Sequence, residues 1–144
     1  AYTIAAVAYW NSDGSRPVVG LGDGSNQRMV FLRAVTTWRL NDGWHSNNLH
    51  SSTNALTQQT WHMVASQYDQ SGRTMFIDDF ENAEASDSAT TKNTNTGGAW
   101  IGMDGGSNVM NGDIAELVIA HRALTPSEMA DLQAYFEDKY GLGS

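Results

Sequence analysis

At 144 residues the chain is long enough for one domain with a sizeable core and too short for two comfortable ones. A formal charge of −8 and six scattered arginines would repel a phosphate backbone, which argues against nucleic acid as a partner. With no cysteine there is neither a disulfide framework nor a thiolate metal site, and no apolar stretch has the length a membrane span requires.

In chain order, alternating or β-branched runs bounded by turn residues predict strands at Thr3 to Tyr9, Pro17 to Leu21, Arg28 to Ala34 and Thr36 to Leu40. Further strands are predicted at Trp61 to Tyr68, Arg73 to Ile77, Trp100 to Met103 and Ile114 to Ala120. Between them lie "NSDGS", "GDGSN", "NDG", "DQSG" and "DGGSN", the turn chemistry that an antiparallel sheet with short connections needs. The polar run from Glu81 to Gly98 reads as surface chain, with room for a short edge strand near Phe80 to Ala85. This is an all-β pattern.

The last segment changes period. Met129, Leu132, Phe136 and Tyr140 recur at helical spacing, with acidic residues at the positions between them. Thr125 is placed to cap this helix, Pro126 suits its first position, and Glu128 completes a Thr-x-x-Glu capping box. Gly141 marks its end. Residues 1–144 thus read as one all-β domain with a C-terminal α-helix. Because the chain opens on Ala1, it reads as a processed protein or a piece of a longer one.

Two segments carry a recognisable signature. "TWHMVASQYDQSGRTMFIDD", Thr60 to Asp79, and "MNGDIAELVIAHRALTPSEMADLQAYFEDKYGL", Met110 to Leu142, resemble the laminin G-like pattern of the concanavalin A-like superfamily. The resemblance implies an antiparallel jelly-roll β-sandwich, two curved sheets packed face to face. It also implies a strand before Tyr2, which this chain lacks, and it places the protein outside the cell, on a cell surface or on a virion. Many relatives have aspartate where Ala115 stands, in some of them as part of a calcium site. The fold alone does not select a function.

The residues narrow the choice. Asp78, Asp79, Glu81 and Glu84 are the densest acidic group, but no Glu-x-Asp-x-x-Glu strand motif or nucleophile elbow accompanies them, so glycoside hydrolysis ranks last. No cofactor is required. Calcium is the one metal to consider, since "LGDGSNQRMVF" and "IGMDGGSNVM" each offer an aspartate, a serine and an asparagine. Asp23 with Asn26 and Asp104 with Asn108 are the candidate ligands. Ordinary turns explain both stretches more simply, because Asp, Gly, Ser and Asn are the favoured turn residues.

The tryptophans carry the leading expectation. Trp61 and Trp100 lie in predicted strands and read as core. Trp44 lies among His45, Asn47 and Asn48 in "NDGWHSNN", where an exposed indole could stack on a sugar ring while its polar neighbours bond the hydroxyls. Trp38 and Arg39 precede it, pointing to opposite faces if their strand is regular, so at most one joins the site. The expected function is therefore a noncatalytic carbohydrate-binding module with a glycan or polysaccharide as partner. The alternative is a structural or adhesion domain that contacts neighbouring protein subunits in a virion, fibre or cell-surface assembly.

Overall fold

A computed structural model describes residues 1–22, 29–44, 47–90 and 97–143. Ten strands precede one helix: β1 (Tyr2–Trp10), β2 (Val19–Leu21), β3 (Met29–Val35), β4 (Arg39–Trp44), β5 (Asn47–His50), β6 (Trp61–Tyr68), β7 (Arg73–Ile77), β8 (Ala85–Asp87), β9 (Ala99–Ile101), β10 (Gly112–Ala120) and α1 (Pro126–Tyr140). They form two antiparallel five-stranded sheets, ordered β10-β1-β6-β7-β8 and β5-β4-β3-β2-β9. The sheets pack face to face as a sandwich, and α1 lies on the outer side of the first.

The apolar run of β1 explains this layering. Ile4, Ala6, Ala8 and Trp10 face the second sheet, while Ala5 and Val7 face the helix, so the strand is buried on both sides. Its alanines let both neighbours approach closely. The core between the sheets adds Phe31, Leu40, Trp44, Val64 and Met75, and a second core joins Met63, Ala65, Phe76 and Phe80 to Met129 and Phe136 of the helix.

The helix starts as its sequence predicts. The Glu128 N–H donates to Thr125 Oγ1 at 3.3 Å, and the Thr125 N–H donates to Glu128 Oε2 at 2.8 Å, completing the capping box. Gly141 ends it in the left-handed conformation, at φ 66°. Thr125→Ala should lower the unfolding free energy by about 1 kcal/mol, read as an earlier urea midpoint with unchanged slope. An unaltered midpoint would count against the cap.

Residues 36–40 depart from their predicted strand. Thr37 and Trp38 take positive φ, 63° and 52°, and form the turn between β3 and β4, with the Thr37 N–H donating to Asp13 Oδ2 at 2.9 Å. The strand begins only at Arg39 and continues through Asn41, Asp42 and Gly43, which read locally as a turn. Those polar residues are tolerated inside a sheet because each finds partners across it. Asp42 Oδ2 accepts hydrogen bonds from the Ser66 hydroxyl and, at 3.2 Å, from Tyr2 Oη. Beside it Arg73, fully buried, donates to the Asp42 and Asn47 carbonyls and pairs with Asp87. The result is a polar chain between the sheets, in which Asp42 Oδ1 is left buried without a partner among the described residues.

Candidate functional site

Alternation along β4 gives the second sheet two unlike faces. Leu40, Asp42 and Trp44 point inward, so Arg39, Asn41 and Gly43 point outward, away from the helix. Strand register places Arg33 of β3 and His50 of β5 on either side of Asn41, and Asn48 of β5 beside Gly43. The outer face of this sheet therefore gathers Arg33, Arg39, Asn41, Asn48 and His50.

Three of these side chains, Arg33, Asn41 and His50, hold one another. Arg33 donates through Nε at 2.9 Å and through Nη2 at 2.5 Å to Asn41 Oδ1. Asn41 Nδ2 donates to the Leu49 carbonyl at 3.0 Å and lies 3.4 Å from His50 Nδ1. Gly43 makes room for this convergence: a Cβ there would come within 2.9 Å of Asn48 Oδ1, 3.1 Å of Asn41 Oδ1 and 3.3 Å of Arg33 Nη2. Burial, then the nearby charges of Arg39 and Arg33, lower the proton affinity of His50, which keeps the ring neutral near pH 7. Asn48 is exposed, whereas Arg33, Arg39 and His50 are half-buried. Chemically this is a surface of fixed amide and guanidinium groups, able to donate and accept hydrogen bonds without reorganising.

At the far side of the same face, Trp100 pairs across from Gly20 and packs over Gly98 and Gly105. The loop from Met103 covers Gly20 so closely that a Cβ would stand 2.5 Å from the Met103 carbonyl. Trp100 is thus half-buried on the outer face rather than in the core.

Several expected site residues fall elsewhere. Trp44 is 1% exposed, its indole facing the core where the Arg73 guanidinium lies 4.3 Å from the ring centre. It is no stacking platform, because the polar neighbours that gave it a loop-like setting belong to the opposite face. Asn47 is exposed, yet its Oδ1 accepts from Arg73 at 3.1 Å and thereby serves the core network. Trp38 is a half-buried turn residue packed on the core, and the expected opposition of Trp38 and Arg39 lapses because only Arg39 is in a strand. Arg39 and Asn48 do share the outer face. His45, Asp23 and Asn26 lie outside the described residues.

Asp104 is fully buried, accepting from the Gly106 N–H at 2.9 Å and from Asn108 Nδ2 at 2.6 Å. Asp104 and Asn108 thus close their own turn. Among the described residues no three His, Asp or Glu side chains converge as a metal site would require. The acidic group is also dispersed: Asp78 Oδ2 lies 2.6 Å from His62 Nδ1, Asp79 bonds Asn82, and Glu84 accepts from Ser52.

Sequence reasoning missed Arg33, Asn41 and His50. The signal was present in "RLNDGW", whose odd positions alternate with the core residues Leu40 and Trp44, but the Asn-Asp-Gly run masks it. Trp61 was also misplaced. It is 38% exposed, its ring centre 5.4 Å from that of Tyr9, and it walls a depression of about 460 Å³ with Asp78, Asp79, Gln133 and Glu137.

The laminin G profile of the concanavalin A-like lectin/glucanases superfamily matches residues 1–130. The chain belongs to this superfamily. Among solved structures, the superfamily member is similar to domain 4 of AbnA, an extracellular arabinanase of Geobacillus stearothermophilus in complex with arabinotriose. That match has TM-score 0.65 and 18% identity over 92% of this chain and 66% of the other. It is also similar to the CBM40 of a Ruminococcus gnavus sialidase bound to α2,3 sialyllactose, with TM-score 0.73 and 14% identity over 92% and 82% of the two chains. A Trypanosoma rangeli sialidase mutant with trans-sialidase activity matches with TM-score 0.67 and 12% identity over 99% of this chain and 24% of the sialidase. The chain thus spans less than two thirds of the first and third of these structures. At such identities the likeness shows the fold, shared by binding modules and by parts of enzymes. No curated protein sequence matches this superfamily member.

Proposed function

We propose that the protein is a noncatalytic carbohydrate-binding module, working outside the cell, that holds glycan on the outer face of its second sheet. The observation that carries this reading is the contrast between the two outer faces. One is sealed by α1, whereas the other presents Arg33, Arg39, Asn48 and His50, orders Arg33 and His50 through Asn41, and is crossed by no described helix. Hydroxyl-rich ligands suit such a surface because each sugar hydroxyl both donates and accepts, matching fixed amides and guanidinium groups. Oligosaccharide-bound neighbours of the same fold support the reading.

The test is a glycan array followed by titration of the wild type, Asn48→Ala and Arg33→Ala, with circular dichroism to confirm folding. Either change should weaken binding about tenfold or more, while Trp61→Ala should leave it unchanged. A failure of the wild type to bind any glycan, or a loss confined to Trp61→Ala, would remove this face from consideration. One observation favours a second reading as a protein-contact domain. Ile119 is 60% exposed at the rim of an apolar cleft lined by Tyr2, Ile4, Leu21, Met29 and Phe31.

A further inference from the structure

Resting on that glycan reading, we infer that the ligand is an acidic sugar whose anionic group is held by Arg39. Every other described arginine has a partner: Arg16 bonds Ser12, Arg33 bonds Asn41, Arg73 pairs with Asp87, and Arg122 pairs with Glu128. Arg39 Nε is buried and finds no acceptor among the described residues. A buried donor left without an acceptor is unfavourable, and a charged one more so, which makes this position unusual in a folded protein. A carboxylate or sulfate on the bound sugar would supply the missing acceptor, and the planar guanidinium suits both groups.

The surroundings agree. Arg39 stands on the outward face two residues along β4 from Asn41, which lies between Arg33 and His50. The charges of Arg39 and Arg33 both reach His50, so the three groups share one neighbourhood. The only acidic residue of β3, β4 and β5 is Asp42, and its carboxylate points the other way, to Ser66 and Tyr2 between the sheets. In a chain of net charge −8, these three strands therefore turn two arginines and no carboxylate outward on this face. Long-range attraction cannot gather an anion to so acidic a protein. The recognition has to be short-range, made by contact with the guanidinium groups, and because these are half-buried salt weakens it only in part.

The experiment titrates the folded protein against matched pairs: trigalacturonate and its methyl ester, sialyllactose and lactose, and a sulfated galactan oligosaccharide and its desulfated parent. At least one acidic probe should bind tenfold or more tightly than its neutral counterpart, and the preference should shrink at high ionic strength. The first two pairs report a carboxylate and the third a sulfate. Arg39→Gln should abolish the preference, and Arg39→Lys should keep part of it. Neutral probes bound as tightly as acidic ones would overturn the inference but leave the glycan reading standing. No binding to any probe, together with an empty glycan array, would overturn both. Should Arg39→Gln fail to fold, the wild-type comparison of matched pairs still decides the question.

Discussion

Trp44→Ala is expected to lower the unfolding free energy by about 3–5 kcal/mol, the range for truncating a large aromatic in a packed core. The indole does several things at once. Its ring meets Tyr68 edge-on at 5.1 Å, its Nε1 donates to Tyr2 Oη at 3.2 Å, and Arg73 stacks over it. Removing it opens a cavity beside a buried guanidinium and takes a donor from Tyr2, which itself bonds Asp42. The loss should appear in chemical denaturation, and partial unfolding at room temperature would be consistent with it. A variant that melts like the wild type and loses only glycan affinity would place Trp44 at the surface instead.

Asp42→Asn should change stability in a pH-dependent way. Burial raises the Asp42 carboxyl to about 6, and the Ser66 hydrogen bond, the Arg73 charge and the Tyr2 hydrogen bond offset only part of that penalty. Because its folded pKa lies above the unfolded one, the native state binds more protons between about pH 4 and pH 6. The stability this group contributes is therefore greatest below about pH 4, falls as pH rises through about 6, and then stays level. Asparagine does not titrate, so the variant should gain on the wild type by about 3 kcal/mol from pH 4 to pH 7, a shift of about two pKa units. Carboxylates held low and remote from Asp42, such as Glu128, have the opposite slope but cancel in the difference. Urea titrations of both proteins across this range give the measurement. A pH-independent difference would mean that Asp42 is not a buried acid.

How much of this was legible depends on how far apart the interacting groups lie in the chain. Thr125, Pro126, Glu128 and Gly141 mark a helix whose caps form within one turn, so the sequence states them directly. The run of β1 likewise announces a strand, while its burial on both faces came only with the second sheet and the helix. The "NDGW" stretch shows the opposite case. Its local polarity describes a turn, and only the facing strands, with Ser66, Arg73 and Asn48 as partners, convert it into a strand with Trp44 inside and Gly43 outside.

The composition and period of the sequence by themselves determined an all-β chain closed by one capped helix, because hydrophobic alternation, turn residues and caps act over a few positions. Tertiary structure alone decided that Trp44 is core, that Trp61 is exposed, and that Arg33, Arg39, Asn41, Asn48 and His50 share one face. That outcome rests on register between strands and on which sheet the helix covers. A register slip of one residue would turn each of these side chains to the opposite face, and no local pattern records the choice.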